Sequence, residues 1–172
     1  MKLPTTRLRR SLEVAANVAI LIVAVIVIAR LIAATRKPKE TPLAPAIGAK
    51  LSLAGVKWEE NGRTLLMVLQ KGCRYCEESA GFYQRLYEQR AGRTEPRFMA
   101  LVPGERADTE RYLSDHSVRV DDIISASLTD VNVAATPTLL LIDRSGRVEN
   151  AWVGKLNESQ EKEVVQRVFD LH

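Results

Sequence analysis

The chain has 172 residues, two of them cysteines, and a formal net charge of +4. This length fits one domain of ordinary size with an appended segment. Five of the 25 basic residues and one of the 21 acidic residues lie in residues 1–34, so residues 35–172 carry 20 of each sign. The basic excess therefore belongs to the N-terminal segment, and the rest of the chain lacks the charge pattern of a nucleic-acid-binding protein.

The first element is an apolar segment, residues 14–34, interrupted only by Asn17 and Arg30. A helix of about 20 such residues spans the ~30 Å hydrocarbon layer of a bilayer. A cleaved signal peptide has a shorter apolar core and a small-residue cleavage site, whereas here Arg30 interrupts the run just before Ala33-Ala34-Thr35. We therefore expect an uncleaved transmembrane anchor, with a cleaved signal peptide as the alternative.

Basic residues flank this segment on both sides. Four precede it and three follow it closely: Lys2, Arg7, Arg9, Arg10, then Arg36, Lys37 and Lys39. The small excess on the N-terminal side favours a cytoplasmic N-terminus by the positive-inside rule. The remainder of the chain would then lie across the membrane.

A proline-containing segment, residues 35–49, separates the apolar segment from the globular pattern. Its three prolines and its lack of periodicity predict an extended, semi-rigid spacer. The predicted organisation is a cytoplasmic tail and transmembrane anchor over residues 1–34, a linker over residues 35–49, and a domain over residues 50–172.

The domain alternates strand-like and helix-like runs. The hydrophobic pattern predicts strands over residues 64–69, 97–102, 121–125, 138–143 and 148–153, and helices over residues 77–89, 106–116 and from Asn157 or Ser159 to Leu171. The turn residues 144–147 make the last two strands a hairpin. This order predicts an α/β domain with a mixed β-sheet covered on both faces.

Both cysteines lie in Cys73-Arg74-Tyr75-Cys76, at the junction of the first main strand and a helix. The first sulfur can face the helix N-terminus, where N–H groups and the dipole stabilise a thiolate. The second lies one turn away and can attack a mixed disulfide formed by the first. The pattern favours dithiol–disulfide exchange, with Cys73 as nucleophile and Cys76 as the buried resolving thiol.

The neighbouring charges predict opposite effects on the Cys73 thiolate. Arg74 or Lys71 would stabilise it, so Arg74 is a candidate modulating residue, whereas Glu77 and Glu78 would oppose it. Tyr75 lies inside the dithiol loop and must face either solvent or a partner, which makes it a candidate substrate contact.

Other chemistries share this cysteine spacing. A structural disulfide across so short a loop would constrain little of the unfolded chain. Zinc prefers four ligands, and the only histidines are His116, which we expect at a solvated helix end, and His172. A thiol peroxidase would carry Thr or Ser three residues before the reactive cysteine, where this chain has Gln70. We expect no metal and no cofactor besides a redox-active Cys73–Cys76 disulfide.

The order of elements resembles the thioredoxin superfamily, with Cys-x-x-Cys after the first main strand and Thr136-Pro137-Thr138 before the hairpin. Residues 133–148 are similar to the membrane-anchored, extracytoplasmic thiol–disulfide oxidoreductases of bacteria, the branch related to cytochrome c maturation and to redoxins. The resemblance covers roughly residues 50–170. It implies a thioredoxin-like mixed β-sheet flanked by helices, preceded by one N-terminal transmembrane helix. It further implies a single-pass protein of the bacterial cytoplasmic membrane with its domain in the periplasm.

The same resemblance assigns site residues and partners. It implies a cis Pro137 beside Cys73 and pairing of the Thr136 backbone with an incoming peptide. Expected partners are protein thiols or disulfides and a membrane or periplasmic redox protein that recycles the cysteines. A copper-delivery protein of thioredoxin fold and a thiol peroxidase are the alternatives.

Four positions depart from the family's pattern. Gly72 replaces the Trp that usually precedes the first cysteine, and Arg74-Tyr75 replaces the usual pair between the cysteines. Met67 stands where many members carry a buried acid that accepts a proton. The family's redox potential and the proton acceptor for Cys76 are therefore not transferred to this chain.

Overall fold

The computed structural model describes residues 15–28, residue 30 and residues 42–169. The chain divides into two units, Met1–Glu40 and Thr41–His172. In the first unit, residues 15–28 form helix α1, within the predicted anchor. Among the described residues, no helix combines the length and the apolar character needed to cross a bilayer.

A five-stranded mixed sheet forms the centre of the second unit. Its strands are β1 (Thr64–Val68), β2 (Arg97–Leu101), β3 (Asp122–Ile124), β4 (Thr138–Ile142) and β5 (Val148–Val153). They lie in the order β3-β2-β1-β4-β5. The pairs β1–β2 and β2–β3 are parallel, while β1–β4 and β4–β5 are antiparallel. Every residue of β1 and β4 is buried, which explains the apolar run that follows the threonine at the start of each strand.

The helices of this unit are α2 (Trp58–Asn61), α3 (Arg74–Gln89), α4 (Arg106–Asp115), a 3-10 helix (Leu128–Val131) and α5 (Glu158–Phe169). Apolar side chains of α3, α4 and α5 share one core with one face of the sheet. Residues 44–58 and the 3-10 helix cover the other face. The sheet is therefore flanked on both faces, as predicted, and all three longer helices pack on the same face.

The ends of two helices refine the sequence-based boundaries. Helix α3 begins at Arg74 rather than Glu77 because Cys73 is its N-cap residue, whose carbonyl accepts a hydrogen bond from the Glu77 N–H at 3.2 Å. Asn157, not Ser159, caps α5: its Oδ1 accepts from the Gln160 N–H at 3.0 Å, and the Gln160 side chain accepts from the Asn157 N–H at 3.0 Å. Leu171 lies outside the described residues.

Residues 42–49, which we call the strap, belong to the predicted linker but are part of the second unit. The Gly48 N–H donates to the Val148 carbonyl at 2.7 Å, and the Val148 N–H donates to the Ala49 carbonyl at 2.9 Å. Near the other end of the strap, the Leu43 carbonyl accepts a hydrogen bond from the Ala134 N–H at 3.0 Å. Because its backbone groups pair with the domain, the strap does not act as a free spacer.

Candidate active site

Cys73 occupies the N-cap position of α3, just after the buried strand β1. Its backbone is extended, with φ −85° and ψ 103°, and its Sγ accepts a hydrogen bond from the Cys76 N–H at 3.2 Å. Cys73 and Cys76 form a disulfide, with their Cα atoms 5.2 Å apart. The sulfur of Cys73 therefore faces an amide of the first helical turn, where a thiolate would be stabilised.

The two sulfurs differ in access to solvent. Cys76 is 2% exposed and belongs to the core formed by α3–α5 and the sheet, together with Met67 and Trp152. Cys73 is only partly buried at the edge of that core. This difference is the one expected of an attacking and a resolving thiol.

The loop before β4 brings a proline to the cysteine pair. The Thr136–Pro137 peptide bond is cis, and the Thr136 carbonyl oxygen lies 3.5 Å from Cys73 Sγ. Pro137 is buried, and its carbonyl accepts a hydrogen bond from the Gly154 N–H at 2.7 Å. The arrangement expected from Thr136-Pro137-Thr138 is thus present.

The two cations expected beside the Cys73 thiolate are engaged with carboxylates instead. Arg74 Nε lies 2.7 Å from Glu78 Oε1, and Lys71 Nζ lies 3.1 Å from Asp108 Oδ2. Carboxylates on α3 and α4 therefore compete with the thiolate for these two cations, and assistance by Arg74 or Lys71 stays a prediction.

Glu78 carries a second ion pair, with Lys155 Nζ 2.7 Å from its Oε2. The hydrogen bond from Lys155, and then that from Arg74, hold the pKa of Glu78 below its usual range. The hydrogen bond from Lys71 likewise lowers the pKa of Asp108. Charged carboxylates thus flank the start of α3 on two sides.

Tyr75 combines a fixed backbone with an exposed ring. The residue is 56% exposed, while its carbonyl accepts a hydrogen bond from Ser79 Oγ at 2.7 Å. The Tyr75 ring is therefore the candidate partner contact of the dithiol loop.

Further along α3, burial raises the pKa of Tyr83 above its ordinary value, so this phenol remains neutral.

His116 is less exposed than its predicted place at a solvated helix end suggested. Its side chain is 27% exposed, and its ring lies against Tyr112 with 4.5 Å between ring centroids. Nδ1 lies 2.8 Å from the Tyr112 carbonyl oxygen, and Nε2 lies 3.9 Å from Glu77 Oε1. The i, i+4 spacing of Tyr112 and His116 was the available sequence signal. Within the described part of the chain, no three His, Cys, Asp or Glu side chains form a group that could hold a metal ion.

No known family model matches the chain, and no curated protein matches it. Solved structures do resemble it. A Chlorobium tepidum protein assigned as the thiol:disulfide interchange protein DsbE aligns with a TM-score of 0.57 and 15% identity, over 74% of this chain and 96% of its own. A thioredoxin family thiol:disulfide interchange protein from the same organism gives 0.53 and 15%, over 72% and 97%. A Corynebacterium glutamicum thiol-disulfide isomerase gives 0.53 and 12%, over 78% and 100%.

At these identities the likeness defines the fold. It extends along nearly the whole length of each of the three proteins. The second unit of the chain has the thioredoxin fold of these thiol:disulfide interchange proteins, and the chain's two cysteines lie at the start of α3.

Proposed function

We propose that the protein is a thiol–disulfide oxidoreductase that exchanges electrons with protein thiols or disulfides through Cys73 and Cys76. One observation carries this proposal: the partly exposed Cys73 sulfur caps α3 and lies 3.5 Å from the carbonyl of a residue joined to a cis-proline. The similar solved structures are thiol:disulfide interchange proteins and isomerases by name.

In the reducing direction, the Cys73 thiolate attacks one sulfur of a substrate disulfide. The substrate S–S bond breaks, a Cys73–substrate disulfide forms, and the other substrate sulfur leaves as a thiolate. Cys76, after losing its proton, attacks Cys73 Sγ and releases the second substrate thiolate. The products are the Cys73–Cys76 disulfide and a substrate dithiol, and two electrons have passed to the substrate. Oxidation of a substrate dithiol is the reverse sequence.

Substrate binding is proposed to use the Thr136 backbone and the Tyr75 ring. An extended peptide running beside Thr136 would add a short strand there, with main-chain hydrogen bonds supplying affinity. This would hold the target sulfur near Cys73. The exposed Tyr75 ring would contact neighbouring side chains of the same substrate.

The exchange activity is tested by insulin reduction with dithiothreitol as electron donor, using the full chain in mild detergent. The wild-type protein is expected to accelerate precipitation of the insulin B chain. Cys73→Ser should abolish the acceleration, because it removes the attacking sulfur. Acceleration by Cys73→Ser at the wild-type rate would contradict the proposal.

We also propose that residues 14–34 tether the protein to the bacterial cytoplasmic membrane in a single pass, with the domain in the periplasm. The apolar sequence of this segment and the preceding basic residues support the tether. The large apolar residues of α1 are 49–65% exposed, as expected of a helix that contacts lipid: Val18, Ile20, Leu21, Ile22, Val23, Val25, Ile26, Val27 and Ile28. A membrane or periplasmic redox protein would then recycle the cysteines.

The tether is tested by fractionation of cells that express the full chain. The protein should stay in the membrane pellet after alkaline carbonate extraction, and external protease should digest its domain in spheroplasts. Release by carbonate, or protection from protease in intact spheroplasts, would contradict the tether or its orientation. Copper delivery, the alternative of another class, is examined by Cu(I) titration of the reduced protein.

A further inference from the structure

Glu78 links the two segments that carry the cysteine site. Its Oε1 accepts a hydrogen bond from Arg74, which lies between the two cysteines, and its Oε2 accepts one from Lys155, both at 2.7 Å. Lys155 directly follows Gly154, whose N–H donates to the carbonyl of Pro137. The Glu78 carboxylate thus pairs with Arg74 on the helix of the cysteines and with Lys155 in the segment that is hydrogen-bonded to Pro137.

The pairing with Glu78 directs the Arg74 guanidinium away from Cys73. Cys73 is the N-cap of α3, whereas Glu78 lies one turn towards its C-terminus from Arg74. The helix dipole disfavours a cation in the first turn, and an i, i+4 pair is weaker when the cation comes first. The Arg74 side chain is 85% exposed and so has room to reorient. If Glu78 lost its charge, a Cys73 thiolate would be the anion adjacent to Arg74 in the sequence.

We propose that Glu78 is a positioning residue that sets the redox poise of the cysteine pair by holding the Arg74 and Lys155 cations on its own carboxylate. The proposal rests on the proposed thiol–disulfide exchange. A Cys73 thiolate without these cations is less stable, so the disulfide is favoured and the reduced pair is the stronger reductant. Lys71, on the other side of Gly72, is held in the same way by Asp108.

The test compares Glu78→Gln with Glu77→Gln in the reduced full-length protein. The two variants lose the same charge from neighbouring positions, but Glu77 pairs with His116 at 3.9 Å rather than with a cation beside the cysteines. Thiolate absorbance near 240 nm against pH reports ionisation of Cys73. Equilibration with reduced and oxidised glutathione reports the redox poise.

Glu78→Gln is expected to lower the pH midpoint of thiolate formation. It should also change the equilibrium constant with glutathione in favour of the reduced protein, by a factor about two to five times larger than Glu77→Gln does. This is the range typical of exposed ion pairs. In an Arg74→Gln/Lys155→Gln background this excess should vanish, because no cation remains to be released.

Equal shifts from Glu77→Gln and Glu78→Gln would overturn the role of Glu78, since loss of charge alone would then explain both. Persistence of the excess without Arg74 and Lys155 would overturn it as well. If the wild-type cysteines equilibrate with glutathione but the protein does not accelerate insulin reduction, the proposed function fails instead, and the thiolate titration and glutathione equilibrium still decide the role of Glu78.

Discussion

At the scale of the residue, the backbone of Tyr75 has a structural role, and its ring has a role in recognition. Its carbonyl accepts a hydrogen bond from the Ser79 hydroxyl within α3, while the residue as a whole is 56% exposed. An exposed aromatic ring contributes little to the stability of the domain, but it offers a large, rigid contact to a partner. The ring should therefore matter for protein substrates and hardly at all for folding.

Replacement of Tyr75 by Ala tests this assignment. We expect kcat/KM for reduction of a protein disulfide to fall about two- to ten-fold, the usual value of one aromatic contact. The rate with a small aromatic disulfide reagent should change less, because that reagent needs only the Cys73 sulfur. Tyr75→Phe serves as the control that keeps the ring. An equal loss with both substrates would show that Tyr75 acts on the cysteines themselves.

The residues of the site differ in how far the sequence predicts them. The spacing of Cys73 and Cys76 predicted the dithiol, and the resemblance to the thioredoxin superfamily implied the cis-proline beside it. The pairing of Glu78 with Lys155 could not be predicted, since 77 residues separate them and only the completed fold brings them together. The pair of Arg74 and Glu78 has the i, i+4 spacing of a helix, but the predicted helix began only at Glu77.

At the scale of the element, the five strands and the three longer helices were predictable, and the two shortest helices were not. Strands β1–β5, including the three-residue β3, and helices α3–α5 follow the predicted pattern within a few residues. Helix α2 and the 3-10 helix were missed because each has only four residues, which is too short to display a helical period. Tertiary contacts, rather than periodicity, define such elements.

The turn between β4 and β5 depends on one carboxylate, that of Asp143. Its Oδ1 accepts hydrogen bonds from the Ser145 N–H, the Ser145 hydroxyl and the Arg147 N–H at 2.7–2.9 Å. Burial alone would raise the pKa of Asp143, but the hydrogen bonds from Arg147 and Ser145 outweigh it, and the pKa lies below its ordinary value. The ionised carboxylate therefore stabilises the hairpin.

Asp143→Ala is expected to lower the free energy of unfolding by about 1–3 kcal/mol at neutral pH, as for loss of hydrogen bonds to a charged acceptor. Because folding lowers this pKa, the contribution is complete above the unfolded-state pKa, near 4, and is lost as the pH falls through the folded-state value. Urea unfolding of the two proteins from pH 7 to pH 3 should show the difference narrowing below about pH 4. A difference that grows in acid would contradict this account of the turn.

At the scale of the whole molecule, the strap and the chain that follows it close one face of the sheet. The Leu51 N–H donates to the Gly146 carbonyl at 2.8 Å, and Trp58 Nε1 donates to the Leu51 carbonyl at 2.9 Å. Gly146 has a φ of +80°, and a Cβ there would lie 2.5 Å from Trp58 Cδ1. Packing of Trp58 against the hairpin therefore requires glycine at position 146.

Gly146→Ala should destabilise the protein by about 2–5 kcal/mol, because left-handed strain adds to overpacking. Gly92→Ala is the matched control: its φ is +78°, but nothing lies within 4 Å of the added Cβ, so only about 1–2 kcal/mol is expected. Chemical unfolding gives both values, and tryptophan fluorescence should report a changed environment only for Gly146→Ala. Equal losses in the two variants would mean that Trp58 does not pack as described.

The central claim is that Cys73 attacks the substrate and Cys76 resolves the mixed disulfide. Trapping of that mixed disulfide tests the claim most directly. Full-length Cys76→Ser, reduced and mixed with a peptide that contains one disulfide, is predicted to accumulate a covalent adduct at Cys73, identified by peptide mass spectrometry. Cys73→Ser is predicted to accumulate none, because Cys76 is 2% exposed. An adduct at Cys76, or equal adducts in the two variants, would contradict the account.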